Sequence, residues 1–461
     1  MLSPTFAIFQ VTAVSPSYTL FLQTTRSSLV ATRYLNMRVP TSVALIVAAT
    51  SSITHASPTS TLRERSVAYD WASTTDKVRG VNIGGWLVLE PFITPSILWQ
   101  HSSDDWPVHD EWTLCQKIGQ SECKKALTAH WDTFVQLEDF QKIRNAGFNL
   151  VRIPVGYWSF LDIEWGYVSG AGPYLDKAIQ WARETGLKVV IDLHGAPKSQ
   201  NGFDHSGHKL ERPQWGDGDS IPNTHRVLKV LEEKYAGWWM QDVVVAIQPL
   251  NEPFLVELDD EMVKQFYRDS YYNLRLINSD MPMMMHDGFE RPSWLNNFLT
   301  PSDNNAQNVI VDHHEYQIFN AYQVAWSTEQ HRQSVCKAAD YWADSDKWMV
   351  VGEWSGAMTD CAPHLNGFKA GNRHEGTFSD GWWMGRCWGG DSNLSGEVKY
   401  WSDAWKDEVR KYIETQLEAF EAKTRGWIFW NFKTEGSAGE WDLFQLLDYG
   451  VFPQPITDRK F

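Results

Sequence analysis

The chain has 461 residues, 43% of them hydrophobic, and a formal net charge of −16. That length buries a large core in one domain or two, and the acidic balance argues against nucleic acid and anionic membranes as partners while leaving a neutral substrate open. Aromatic residues are the anomaly, with 25 Trp, 16 Tyr and 22 Phe; their faces suit the C–H faces of sugars and equally suit cores.

A second methionine, Met37, opens MRVPTSVALIVAATSSITHAS (37–57), with a basic start at Arg38, an apolar run from Val43 to Ala49 and small residues around Ala56. This reads as a secretory signal cleaved near Ala56 and too short to span a membrane. Residues 1–36 have no clear role, which makes Met37 a candidate start. LRER (62–65) fits a processing site or a short polar linker. The expected organisation is a leader and linker over 1–66, with the signal peptide at 37–56, then one catalytic domain over 67–461. No other segment stays apolar for ~18 residues. A soluble, secreted monomer is expected, extracellular or in a cell wall.

Eight short β-rich runs follow in chain order: RGVNIGG (79–85), NLVRIPV (149–155), KVVIDLHG (188–195), VVVAIQPLNEP (243–253), PMMMHDG (282–288), NVIVDHHEY (308–316), KWMVVGEW (347–354) and GWIFWNF (426–432). Most intervals carry amphipathic helical patterns. DFQKIRNAG (139–147) and YLDKAIQWARETG (174–186) stop on glycine, and DEVRKYIETQLEAFEA (407–422) is a further helix. Strand then helix, repeated eight times, is the α/β class and the pattern of a (β/α)8 TIM barrel. Five cysteines are present. Cys115 with Cys123 and Cys361 with Cys387 are the local pairing options, and Cys336 is left over. Their spacing does not resemble a zinc site. Asn393-Leu-Ser395 is a glycosylation sequon in a Gly-rich loop.

In such a barrel, polar residues at the C-terminal strand ends face the site. Here these are Asn82, Arg152, His194, Asn251, Glu252, Asp287, His314, Tyr316, Glu353 and Trp430. So many poorly solvated polar groups at one mouth are hard to explain as structure alone. Glu252 lies in IQPLNEPF (247–254), beside Asn251 and between Pro249 and Pro253. It and Glu353 are the two carboxylates that end otherwise apolar strands. Strands four and seven face each other across a barrel. Paired carboxylates serve glycoside hydrolysis, at a separation of about 5 Å for retention and roughly 6.5–9.5 Å for inversion.

The motifs VRIP, HG, NEP, HxY and GEW resemble the retaining β-glycosidases of glycoside hydrolase family 5. RGVNIGGWLVLEPFITPS (79–96), DLHGAPKSQNGFDHSG (192–207), DHHEYQIF (312–319) and FPQPITDRKF (452–461) resemble its fungal exo-β-1,3-glucanase branch. The resemblance runs from about residue 70 to the C-terminus. It implies Glu252 as general acid/base and Glu353 as nucleophile, the latter kept ionised by Arg152 and Tyr316. It also implies Asn251 at the sugar 2-hydroxyl, His194 and His314 lining the first subsite, Trp430 as the platform beneath that sugar and Glu90 gripping hydroxyls at the closed end. Phe203 and Phe319 match an aromatic clamp at the entrance, and Asp204 lies in the same loop as Phe203. The long loops after strands one and three and the stretch from Asp360 to about Lys399 are the expected pocket walls. No cofactor and no metal are implied, and the partner is a β-glucan chain. His205 departs from the family's usual Asn and is expected to alter the entrance subsites. Phe432 stands where a second Trp is common. Relatives often carry a C-terminal tail with a cysteine, the natural partner for Cys336.

The leading reading is removal of glucose from the non-reducing end of β-1,3-glucan by double displacement. Close alternatives are an endo-acting or β-1,6-specific glucanase of the same family. Remoter ones are a non-catalytic wall-binding protein and a metal-dependent barrel hydrolase built on Asp312, His313 and His314.

Overall fold

The computed structural model describes residues 69–162, 166–389 and 393–461. The leader and linker expected over 1–66, the signal at 37–56 and LRER all lie outside the described residues. Eight parallel strands close into one barrel in sequence order: β1 (Val78–Asn82), β2 (Leu150–Gly156), β3 (Lys188–Gly195), β4 (Val244–Gln248), β5 (Met283–His286), β6 (Val309–Glu315), β7 (Trp348–Trp354) and β8 (Gly426–Phe429). All eight fall on the apolar runs read from the sequence. The runs of β1, β4, β5, β6 and β8 overshoot their strands where the chain turns into the loops above the barrel, whereas those of β2, β3 and β7 end with the strand or within one residue of it.

Parallel strands are covered on both faces, so their residues are apolar in both directions. Inward-pointing Leu150, Val190, Ala246, Met284, Ile310, Val350 and Ile428 form the lower filling of the barrel. Trp71, from the segment before β1, packs into this layer, and its indole N–H donates to the Val245 carbonyl at 3.0 Å. Side chains alternate with a period of two. The next inward position on β1 to β7 is therefore Asn82, Arg152, Asp192, Gln248, His286, Asp312 and Gly352. Here the filling changes from apolar to polar in one step, with every member buried.

Helices Leu137–Asn145, Gly172–Thr185, Ser220–Tyr235, Asp260–Ile277, Thr328–Trp342 and Asp403–Lys423 cover the outside. The repeat is broken once. Between β5 and β6 the described residues hold only a 3-10 turn, Pro292–Leu295. That segment is rich in turn formers, and Asn297, Asn304, Asn305 and Asn308 all adopt left-handed backbone (φ 63, 57, 57 and 58°), which asparagine tolerates and a helix does not. No helix among the described residues is long and apolar enough to cross a membrane.

Both local cysteine pairs form, Cys115–Cys123 and Cys361–Cys387, and Cys336 is unpaired and exposed. In the sequon, Asn393 closes a turn. Its Oδ1 accepts from Gly389 N–H at 3.2 Å, its Nδ2 donates to the Tyr400 carbonyl at 3.1 Å, and Ser395 is buried with its hydroxyl donating to Glu440.

The polar layer leaves no room at β7. A Cβ on Gly352 would overlap the Asp312 carboxylate. Gly352→Ala is expected to destabilise the protein by about 1–3 kcal/mol through overpacking, read as a lowered Tm in thermal unfolding. An unchanged Tm would mean that the layer has space to yield.

Candidate active site

The site is built around Arg152, which enters the barrel from β2 and is fully buried. Its Nε–H donates to Gln248 Oε1 at 2.8 Å. Nη1 donates to Asn82 Oδ1 at 2.9 Å and to Glu353 Oε1 at 2.8 Å, and Nη2 donates to Asn251 Oδ1 at 2.7 Å. Asp192 Oδ2 lies 3.1 Å from Nη2. Burial alone would lower its pKa, but Asp192, Glu353 and Asp312 overcome that and hold the guanidinium above its ordinary range.

The two carboxyls named from the sequence meet over this base. Tyr316 donates its hydroxyl to Glu353 Oε2 at 3.0 Å. His314 Nδ1 lies 2.6 Å from Glu252 Oε1 and 3.5 Å from Glu353 Oε2. Through that shared nitrogen the two carboxyl oxygens lie within about 6 Å of each other. Glu252 follows β4 in left-handed backbone, φ 44°, a conformation that costs a non-glycine residue of order 1 kcal/mol. His314 Nε2 rests 3.1 Å from Asp312 Oδ2. Burial opposes a charge on His314, but Glu353, Asp312 and Glu252 raise its pKa well above the usual range, so it is an imidazolium.

Burial raises Glu252, but the hydrogen bond from His314 and the charge of that imidazolium overcome it and draw the group down to about 2. Burial raises Glu353 to about 7 against the pull of His314 and Arg152. Both carboxyls face one histidine and titrate as a pair, which holds a single proton between about 2 and about 7.

Above the pair lies a cavity of ≈ 790 Å³. Of the strand-end residues, His194, Glu252, His314, Tyr316, Glu353 and Trp430 line it, as do Glu90, Phe203, Asp204 and Phe319. Arg152, Asn82 and Asn251 form the buried base instead of the wall. Asp287 turns aside, with its Oδ2 2.6 Å from His313 Nδ1. The expected wall loops all contribute: Pro91 and Phe92 after β1, Gly202 to His205 with Lys209 and Leu210 after β3, and His364 to Gly367 with Arg373 and Phe378 after β7. Trp430 stacks with His194 at 5.5 Å and 13°. Gly84 makes that possible, since a Cβ there would sit 2.7 Å from the Trp430 ring. Burial and then the Glu353, Asp204 and Glu252 charges push the Glu90 carboxyl well above its usual range, leaving it neutral, and its Oε1 has no protein partner.

His194 donates from Nδ1 to Asp192 at 2.7 Å and stays neutral, because burial and then His205 and Arg152 lower it. His205 does more than touch the entrance: its Nε2 lies 3.3 Å from Glu252 Oε2. Phe432 is away from the cavity, packed edge-on to Phe134 and Phe444.

Sequence reasoning passed over Asp192, Gln248 and His286 in the polar layer, and Phe254, Phe289 and Trp441 in the wall. The layer had a signal: each member lies two residues after an apolar inward position. The wall aromatics lie in loops, where no period marks them. The metal alternative on Asp312, His313 and His314 does not converge, because alternation sends His313 outward to Asp287 and Glu315. Glu252, His286 and His314 do offer ligand atoms within 4.8 Å of one another. Both His314 nitrogens, however, are already committed to carboxylates.

Residues 116–374 match the model of the cellulase family, glycosyl hydrolase family 5. The chain belongs to that family and is an O-glycosyl hydrolase. It is 45% identical over 386 residues to probable glucan 1,3-beta-glucosidase A of Aspergillus fumigatus, covering 83% of this chain and 89% of that one. It is 42% identical over 407 residues to glucan 1,3-beta-glucosidase of Lachancea kluyveri (85% and 90% covered). With glucan 1,3-beta-glucosidase of Blumeria graminis it shares 44% over 405 residues (87% and 91%). Its fold is similar to that of rutinosidase from Aspergillus niger, with a TM-score of 0.65 at 20% identity, covering 84% of this chain and 99% of that one.

Replacing Arg152 by Met removes the guanidinium from a ring of buried acceptors. A loss of about 3–5 kcal/mol is expected from the unpaired carboxylates, measured by urea unfolding. A loss below about 1 kcal/mol would show that the ring is not held by this charge.

Proposed function

We propose that the protein is a secreted, exo-acting, retaining β-1,3-glucosidase that removes glucose from the non-reducing end of β-1,3-glucan. The observation that carries the reading is the closeness of the Glu252 and Glu353 oxygens. Bridged by one histidine nitrogen, Glu252 Oε1 and Glu353 Oε2 lie within about 6 Å, which suits the about 5 Å separation of retention. The names of the fungal relatives supply the substrate class. Two disulfides suit an oxidising, extracellular compartment.

In the first step a Glu353 oxygen attacks the anomeric carbon. Arg152 and Tyr316 favour the charged form of Glu353 because neither gives up its proton to it. The glycosidic bond breaks, and its oxygen takes the proton of Glu252. Because His314 donates to Oε1, the transferable proton belongs on Oε2. In the empty site the His314 charge favours the anion on Glu252. A bound glycosidic oxygen, as an acceptor facing Oε2, favours the proton there. In the second step Glu252 takes a proton from water, the water oxygen bonds to the anomeric carbon, and the ester to Glu353 breaks with the β configuration restored. Asn251 Oδ1 is taken by Arg152, so its Nδ2, without a protein partner, is the donor left for the 2-hydroxyl. Trp430 underlies the sugar beside His194, and neutral Glu90 can both donate to and accept from its hydroxyls. Phe203 and Phe319 flank the next sugar, with Asp204 nearby.

With laminarin, glucose is expected as the sole early product, first appearing as the β anomer by NMR. Glu353→Gln should fall to background, and Glu252→Gln should lose roughly 10²–10⁴-fold. Mixed oligosaccharides would indicate an endo-enzyme, and undiminished activity in either variant would sink the two-carboxylate assignment. The working form holds the pair's one proton, so kcat/KM should decline as pH rises through about 7, tending to tenfold per unit. With an aryl glucoside whose leaving group needs no proton, Glu252→Gln should lack this decline. Its persistence in that variant would place the titration elsewhere.

A further inference from the structure

Outside the cavity, the segments that form its rim carry aromatic rings that the mechanism does not use. Tyr322 is 78% exposed, Trp382 44% and Trp383 64%. Tyr322 and Trp382 meet edge to face at 5.7 Å. Such a group of rings left in water is unusual for a surface with no ligand. Lys369 lies over Trp99 and Lys117 over Trp106, and the exposed pair Trp238 and Trp239 precedes β4 and does not line the cavity. Among the described residues no lysine or arginine lies over Tyr322, Trp382 or Trp383.

Both supports of this group are continuous with the pocket. Tyr322 sits on the short helix Ala321–Val324, directly after Phe319 and Asn320 and before Gln323, and those three residues line the cavity. Trp382 and Trp383 end a turn that begins at Arg373, and Arg373 and Phe378 of that turn also line the cavity. The turn is fixed by an antiparallel bridge between Glu375 and Trp383, by a 2.9 Å bond from Met384 N–H to the His374 carbonyl, and by the Cys361–Cys387 disulfide across its base. The rings are thus held in place before any ligand arrives, which spares the ordering cost of binding.

We propose that Tyr322, Trp382 and Trp383 form an aromatic platform outside the pocket that binds the trailing, reducing-end part of the same β-1,3-glucan chain whose terminus is being cleaved. The inference rests on the proposed β-glucan substrate. A neutral sugar chain offers C–H faces to these rings. A chain leaving past Phe319 meets Tyr322 next and then Trp382. Substrates one or two sugars long end inside the mouth and never reach it. The platform favours capture of polymer over short oligosaccharides and leaves the chemical step alone.

The test compares wild type with Tyr322→Ala/Trp382→Ala/Trp383→Ala, and with Trp382→Ala alone should the triple variant lose thermal stability. On laminarin, kcat/KM should fall about tenfold, mostly through KM, equivalent to about 1.4 kcal/mol of stacking lost from the three rings together. On an aryl β-glucoside it should stay within about twofold of wild type. Retardation in native gels containing laminarin should weaken in the variant. That readout needs no turnover: a wild type that is retarded but cleaves neither substrate would refute the proposed activity and leave the platform standing. Equal losses on both substrates, or unchanged retardation by a folded variant, would overturn the platform. So would a variant altered only in oligomeric state by sedimentation, which would assign the rings to a second copy of the chain.

Discussion

A single buried guanidinium organises the upper half of this barrel. Arg152 sits where inward side chains change from apolar to polar, and buried polar groups there are costly unless partnered, a need its donors meet for its neighbours. Its donors reach Gln248, Asn82, Glu353 and Asn251, residues from three different strands or their ends. Gln248 passes the connection on to Asp312 at 2.7 Å, and Asp312 to His314. The cation therefore fixes one carboxyl directly and the other through three further side chains. Precision at the mouth comes from this network beneath it and from the rigid strands that carry it.

His314 links the two halves of the proposed chemistry. The family resemblance assigns it to the wall of the sugar subsite, and it does line the cavity. Its nitrogens, however, are committed to Glu252 and Asp312, with Glu353 close by. A charged imidazole in that position lets two carboxyls share one proton within a few ångströms of each other. His205 adds a second nitrogen near the oxygen of Glu252 that the first leaves free. A residue type that differs from the family's usual amide thus sits beside the group proposed to carry the proton.

Much of this was legible in the sequence. Parallel strands buried on both sides must be apolar throughout, so the eight runs stand out, and their polar ends mark the mouth. The pairing of neighbouring cysteines follows from short separations. The inner polar layer was passed over because attention to strand ends stops at the rim. Asp192 in DLH and Gln248 in IQP lie one inward step below it, inside runs that otherwise read as core. The β5–β6 connection failed as a helix because its asparagines and prolines prefer turns. Phe254, Phe289 and Trp441 belong to loops, where only the folded chain decides which rings face the cavity. The chain's surplus of aromatics divides in the same way: Trp354, Trp427 and Phe452 fill the shell between strands and helices, whereas Trp430 and the rings near the mouth face the space where sugar is proposed to bind.

The most direct test of the proposed double displacement is to trap its intermediate. A 2-deoxy-2-fluoro-β-glucoside with an activated leaving group slows breakdown of the glycosyl-enzyme more than it slows attack. Intact-mass measurement after incubation should show one added fluoroglucosyl group, and peptide mapping should place it on Glu353. An adduct on any other residue, or turnover that releases the α anomer with no adduct, would contradict the assignment of Glu353 and the mechanism built on it.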